Sequence, residues 1–315
     1  MKIQNKEMLL NYIEKTPIKV IALDLDRTTL RSDATLAPRT REAICDALAA
    51  GLEVVIISGR PRCSLPQEVL VIPGIRYLVT SNGAAVNKRY YKHENTDIWQ
   101  VCVAKQQYEL LEEKRIWAWT LAKEAALAIL DHSLPYFEKE LLTYETFVEG
   151  IAYAPEDYVN YPSKYGAPKK AEVYVKSTRI PIADFPSFVK EHAYELDSLD
   201  LLVADLDYFE EIQELIRCNV ADVYMTSSMK RMLEISNKEA GKASGLRYVL
   251  KDMGLRTEQV IAFGDGNNDA DMLAYAGLGV AMANAMPHCL ECADYVGKSN
   301  DEDGVAEIIE MIVNK

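Results

Sequence analysis

The sequence predicts an α/β protein: a doubly wound parallel-sheet core with a second α/β domain inserted into it. Three observations predict this. IKVIALDLD, GLEVVIISG and QVIAFGDG are nearly continuous apolar runs of strand length that end in acidic or glycine-containing turns. Strands buried on both faces read this way, and they belong to parallel sheets. Helical patterns alternate with these runs, as right-handed crossovers require. The alternation also breaks off after the third strand and resumes only near the C-terminal end.

In chain order, residues 5–15 (NKEMLLNYIEK) form a short amphipathic helix before the first strand, IKVIALDLD. PRTREAICDALAAG is a helix with Pro38 near its start and Gly51 at its end. GLEVVIISG and RYLVTSNGA are the second and third strands. Toward the other end, KASGLRYVLKDMG reads as a helix, QVIAFGDG as a strand, NDADMLAYAG as a helix and LGVAMANA as a strand. MPHCLECA is a helix, DYVGKSN an edge strand or loop, and EDGVAEIIEMIVN a final helix. The middle reads as long helices (YELLEEKRIWAWTLAKEAALAIL) with strand-like AEVYVKS and KRMLEIS. The expected division is therefore residues 1–85 for the first core segment, 86–236 for the insert and 237–315 for the second core segment.

The 315 residues are 49% hydrophobic, too apolar for disorder and long enough for two domains without disulfide staples. Asp plus Glu outnumber Lys plus Arg by 48 to 35, a net charge of -13 that lies mostly in the middle of the chain. That surplus argues against nucleic acid and against an anionic membrane, both of which demand basic residues. The first residues lack an apolar signal core, and no run approaches the roughly 20 apolar residues of a membrane helix. Six cysteines suit a reducing compartment, so the expected location is cytoplasmic.

Four motifs carry chemistry. Asp24-Leu25-Asp26-Arg27-Thr28 follows the first strand, where a parallel sheet opens its ligand crevice. Carboxylates two residues apart leave a strand on the same side, roughly 6–7 Å apart. One can then attack a phosphorus while the other faces the leaving oxygen. Ser58-Gly59-Arg60 ends the second strand and offers a hydroxyl and a backbone N–H to a phosphoryl oxygen. Lys242 opens a helix and can neutralise a phosphate, with Lys238 as a near competitor. Gly264-Asp265-Gly266-Asn267-Asn268-Asp269 follows QVIAF and gathers hard oxygen donors suited to Mg²⁺. A helix cap, an ordinary Ser-Gly loop, a solvated lysine and an Asx-rich turn are the bland readings of each alone. Their shared position at strand ends favours a site.

With these motifs the sequence resembles the haloacid dehalogenase superfamily of phosphohydrolases, and within it the Cof-type subfamily. DLDRTTL, IISGR, Lys242 and GDGNND carry the resemblance, with TSNGA and the tail GVAMANA…AD…KSNDEDGVA. It covers residues 18–86 and 232–315; the middle matches only in position and size, as an α/β cap. The resemblance implies that Asp24 is the nucleophile and Asp26 the acid/base. It implies that Ser58, Gly59, Arg60, Asn82, Lys242 and Asn268 bind substrate. Mg²⁺ would be held by Asp24, the Asp26 carbonyl and Asp265, with Asp269 supporting the metal or Lys242. One departure stands out: Arg27 replaces the family's usual glycine, and a backbone angle that glycine takes freely is costly for arginine unless this loop keeps a negative φ.

The expected activity is Mg²⁺-dependent hydrolysis of a small phosphorylated metabolite, such as a sugar phosphate, pyridoxal phosphate or flavin mononucleotide. A phosphotransferase such as a sugar phosphomutase is the alternative on the same scaffold, and a non-catalytic regulator the third. Cys289 and Cys292 form a CxxC without a second ligand pair, which reads as packing. Residues 158–179 are locally basic (Lys164, Lys169, Lys170, Lys176 and Arg179 against Glu172) with interleaved tyrosines, so either a substrate-reading loop or a solvated one.

Overall fold

The computed structural model describes residues 2–94, 99–105 and 108–315. They form two compact units: residues 1–59, 65–117 and 241–315 make the core, and 60–64 with 118–240 make the cap. The core sheet contains β1 (Val20–Leu23), β2 (Glu53–Ile57), β3 (Tyr77–Thr80), β4 (Ala85–Tyr91) and β5 (Leu110–Ala118). The cap contributes β6 (Leu142–Val148), β7 (Ile151–Pro155), β8 (Arg179–Ile182), β9 (Leu196–Val203), β10 (Val223–Thr226) and β11 (Met232–Asn237). The core resumes with β12 (Val260–Gly264), β13 (Leu278–Ala281) and β14 (Tyr295–Val296).

The core sheet runs β14-β13-β12-β1-β2-β3-β4-β5. Its six strands from β14 to β3 pair in parallel, and β4 returns antiparallel to β3. Every residue of β1, β3, β12 and β13 is buried, which is why these segments read as unbroken apolar runs. Chain order reverses at β1: β2 lies on one side and β12 on the other. Neighbouring crossovers there leave toward opposite sides and open a crevice at the carboxyl ends of the strands. Ile21, Leu23, Ile56, Phe263 and Val280 join Leu9, Ile13, Ile44 and Ile309 from the covering helices in one apolar core.

Two segments depart from the sequence expectation. Leu110–Ala118, read as the start of a long helix, is strand β5, and Trp117 on it stacks on Tyr248 with ring centroids 5.0 Å apart. Its Glu, Lys and Leu residues favour helix locally, but pairing at the sheet edge overrides that preference. β4 and β5 thereby belong to the core sheet, so the compact insert begins near residue 118 rather than at 86. Glu172–Thr178, read as a strand, is a helix; its alternating Val173, Tyr174 and Val175 do not find a ladder partner, and only Val175 is buried. KRMLEIS forms β11 as expected.

The cap sheet runs β10-β11-β9-β6-β7-β8. One face packs on helices Lys123–Phe137, Phe185–Glu191 and Phe209–Asn219, with Tyr144 stacked on Phe185 at 5.4 Å. The other face carries a smaller apolar cluster, Ala154, Leu202 and Met232 with Tyr158 and Tyr165, beside buried polar residues. Glu145 stands opposite Asp200 across β6 and β9, and Arg179 clasps Glu145 with two hydrogen bonds, 2.7 and 3.1 Å. Burial first, and then the charges of Glu234 and Glu145, push the Asp200 carboxyl well above its ordinary range.

The basic stretch 158–179 pairs three of its five cations within the cap. Lys164 pairs with Glu140 and Asp157, Lys176 approaches Glu172, and Arg179 is buried against Glu145. Its local positive balance in the sequence arises because three of these acids lie outside the window.

Candidate active site

β1 and β12 are adjacent and in register, so their ends bring two motifs together. Asp24 leaves β1 with its N–H on the Phe263 carbonyl at 3.2 Å, and Asp265 follows Gly264 at the end of β12. Carboxylate oxygens of Asp24, Asp265 and Asp269 lie within 4.8 Å of one another, all buried. Lys242 Nζ donates to Asp24 Oδ1 at 2.6 Å and to Asp269 Oδ1. Lys238, the competitor for that role, pairs instead with Asp222 on the cap surface.

Asp269 is fully engaged by its surroundings. Its Oδ2 accepts from the N–H groups of Asp265 (2.9 Å) and Gly266 (2.8 Å), while Oδ1 takes Lys242. This requires Gly264: a Cβ there would lie 2.4 Å from the Asp269 side chain. Thr28 Oγ1 donates to Asp265 Oδ1 at 3.1 Å, and Thr29 Oγ1 to the Asp24 carbonyl at 2.5 Å. Neither threonine was assigned a role from sequence. Both stand inside DLDRTTL, but nothing in the spacing says which carboxylate each one reaches.

Lys242 is placed by a backbone contact. The Gly241 N–H donates to the Asn82 carbonyl at 3.0 Å, and a Cβ on Gly83 would sit 2.0 Å from the Gly241 carbonyl oxygen. Only glycine at 83 lets the turn after β3 seat the start of helix Lys242–Met253. Asn82 itself takes φ 51, and its Oδ1 accepts from Asn268 Nδ2 at 2.9 Å. Ser58 is buried at the end of β2, its N–H on the Val79 carbonyl at 2.9 Å. Gly59 ends the first core segment, whereas Arg60 belongs to the cap unit and lies over the Tyr174 ring at 4.8 Å.

The two carboxylates of the first motif sit in opposite surroundings: Asp24 is buried and Asp26 exposed. Arg27 adopts φ 61, the left-handed region, at a cost of about 1–2 kcal/mol that glycine would avoid. Its guanidinium stands 3.8 Å from Asp265 Oδ2.

Charge in the cluster is unbalanced. Burial first, and then the charge of Asp269, raise the Asp24 carboxyl well above its ordinary value against the pull of Lys242. Burial and Asp269 likewise push Asp265 up to about 7, opposed by Arg27 and Lys242. Burial works against the Lys242 charge, but Asp24 and Asp269 outweigh it and hold its pKa above the usual lysine range. Three buried carboxylates sharing one buried ammonium suit a further hard cation, and their oxygen donors fit Mg²⁺. Cys289 is a buried free thiol, raised by burial and by the same carboxylates, which suits packing rather than reaction.

Comparison with known proteins gives the family of the chain. The family profile of the haloacid dehalogenase-like hydrolases matches residues 21–309. A putative phosphatase of Bacillus subtilis, YxeH, is 28% identical over 308 residues, covering 94% of this chain and 98% of its own. The B. subtilis 5-amino-6-(5-phospho-D-ribitylamino)uracil phosphatase YcsE is 27% identical, covering 94% and 96%. Among solved structures, a haloacid dehalogenase-like hydrolase from Bacteroides thetaiotaomicron superposes with TM-score 0.69 at 26% identity, over 94% of this chain and 99% of that one. A subclass IIB sugar phosphatase shares the fold, with TM-score 0.72 at 21% identity over 93% and 98%. The chain belongs to the haloacid dehalogenase-like hydrolases. Within them it is a phosphatase, with the family's parallel-sheet core and inserted cap. Among the described residues no helix is long and apolar enough to cross a membrane.

Proposed function

We propose that the protein is a Mg²⁺-dependent phosphatase that hydrolyses a small phosphorylated metabolite through an aspartyl-phosphate on Asp24. The observation that carries this is the buried cluster of Asp24, Asp265, Asp269 and Lys242 at the sheet's reversal point. Asp24, the Asp26 carbonyl and Asp265 would hold Mg²⁺, whose charge offsets the repulsion between a carboxylate nucleophile and an anionic phosphate. Lys242, Ser58 and Asn268 would bind the phosphoryl oxygens, while Asp269 positions Lys242 and the turn that carries Asp265.

The reaction divides into two transfers. Asp24 Oδ forms a bond to phosphorus as the bond to the alcohol oxygen breaks, and Asp26 gives that oxygen its proton. Water then attacks the phosphorus, Asp26 takes the water's proton, and phosphate leaves as the Asp24–phosphorus bond breaks. Asp26 is exposed beside the buried nucleophile, which suits a group that must exchange a proton in each half. Such general acid–base help contributes typically 10²–10⁴-fold, about 3–5 kcal/mol of barrier.

Substrate choice rests on relatives. One is named for a phosphorylated ribitylaminouracil and another is a sugar phosphatase, which favours a sugar phosphate or a phosphorylated cofactor. A phosphate-release screen over sugar, nucleotide and cofactor monophosphates, with and without Mg²⁺, tests the reading. Release that needs Mg²⁺ but no bisphosphate activator supports hydrolysis. Transfer to a second sugar, seen only with such an activator, identifies a phosphotransferase instead.

A further inference from the structure

We propose that Arg27 forms an anion subsite beside the aspartate cluster, taking a second anionic group on a phosphoric monoester whose alcohol carries a carboxylate or another phosphate. The proposal rests on the phosphatase reading and narrows its substrate class. Its first support is a rigid mounting. Arg27 is fixed at φ 61, and its carbonyl accepts from Asn284 Nδ2 at 2.9 Å. Asn284 Oδ1 in turn accepts from the Asn300 N–H at 3.1 Å, and Asn300 Nδ2 donates to the Leu30 carbonyl at 3.0 Å. The root of the side chain is therefore held from both sides of the loop.

The second support is that the guanidinium on this mounting is underused. Nη2 donates to the Asn284 carbonyl at 3.5 Å, the outer limit of a hydrogen bond, and Nε stands 3.8 Å from Asp265 Oδ2, beyond it. An arginine has five N–H donors in a planar fork, and 56% of this side chain is exposed. An ion pair this open stabilises little, so folding stability does not account for an arginine in a backbone conformation that suits glycine.

The third support is position. Lys242 is buried behind the cluster and committed to Asp24 and Asp269. Arg27 is exposed beside Asp265 and directly follows Asp26, which on the proposed function addresses the leaving oxygen. A charge there meets the alcohol part of the substrate rather than the phosphoryl group being transferred. The fork of a guanidinium fits a carboxylate or a phosphate through two parallel hydrogen bonds, which a lysine cannot reproduce.

The test compares matched pairs: glycerol 3-phosphate with 3-phosphoglycerate, and fructose 6-phosphate with fructose 1,6-bisphosphate. The expected wild-type protein favours the more anionic member of at least one pair tenfold or more in kcat/KM. Arg27→Gln reduces that preference at least tenfold through KM, and Arg27→Lys recovers part of it. The responding pair tells whether the subsite takes a carboxylate or a phosphate. Calorimetric binding of the same pairs to Asp24→Asn protein, with and without Arg27→Gln, repeats the comparison without turnover. Equal affinity for both members, or a loss with Arg27→Gln that is the same for both, overturns the subsite. Absence of hydrolysis with retained, Arg27-dependent binding would instead overturn the phosphatase reading alone.

Discussion

Asp24 and Asp26 are separated by one residue and differ in nearly everything else. Asp24 is buried against Lys242, while Asp26 stands in solvent. On the proposed function, these two environments suit the two different roles of nucleophile and acid/base. Asp26→Asn should lower kcat about 10²–10⁴-fold with little change in substrate affinity, measured by steady-state kinetics and calorimetry. Asp265 sets a pH dependence. Its carboxyl is raised to about 7 by burial and Asp269, above the ordinary 3.8. A raised carboxyl stabilises the fold at low pH, and that contribution is lost as pH climbs from about 4 to 7. Chelator-treated protein should therefore lose thermal stability over that window. Binding a cation requires the ionised form, so added Mg²⁺ should raise Tm more at pH 8 than at pH 6. An equal Tm gain at both values would contradict the assignment. At this scale the sequence was most legible in placement: Asp24, Ser58 and Asp265 stand at strand ends as read, and Lys242 opens a helix and reaches Asp24. Thr28 and Thr29 were not legible in their roles, because those depend on tertiary partners. The backbone of Arg27 was a visible question that only the loop's geometry answered.

Among elements, the start of helix Lys242–Met253 depends on a glycine far away in sequence. Gly83→Ala would place a methyl 2.0 Å from the Gly241 carbonyl oxygen, in a backbone conformation of φ 86. It should cost more than about 1 kcal/mol of stability. It should also lower kcat at least tenfold by displacing Lys242, with unchanged circular dichroism; wild-type kinetics would show that the turn does not seat the lysine. The buried parallel strands were legible because uniform burial leaves a uniform apolar run. β5 and Glu172–Thr178 were misread for opposite reasons. β5 is made of helix-favouring residues drafted into a sheet edge, and the helix carries strand-like alternation without a ladder partner.

Across the whole molecule, the net charge of -13 opposes the approach of an anionic ester, and Lys242 with Arg27 offsets only part of the carboxylate charge at the cluster, so on the proposed function a bound Mg²⁺ is needed to reverse the sign there. Salt screens the general repulsion at about 8–10 Å, while the buried lysine is screened far less. Raising monovalent salt from about 20 to 150 mM should lower KM about twofold at fixed Mg²⁺. A rise in KM would mean that long-range attraction, not local contacts, brings substrate in. The division into core and cap was visible as a break in strand–helix alternation, but its first boundary was not. The hairpin β4–β5 extends the core sheet with residues whose composition resembles the insert.

The proposed phosphatase depends above all on covalent catalysis by Asp24. Rapid acid quench of enzyme turning over its best ester, followed by peptide mapping with mass spectrometry, tests it directly. The expected result is a phosphoryl group on the peptide containing Asp24, absent from Asp24→Asn protein, which releases no phosphate. A phosphoryl group on another residue, or wild-type phosphate release by Asp24→Asn, would contradict it.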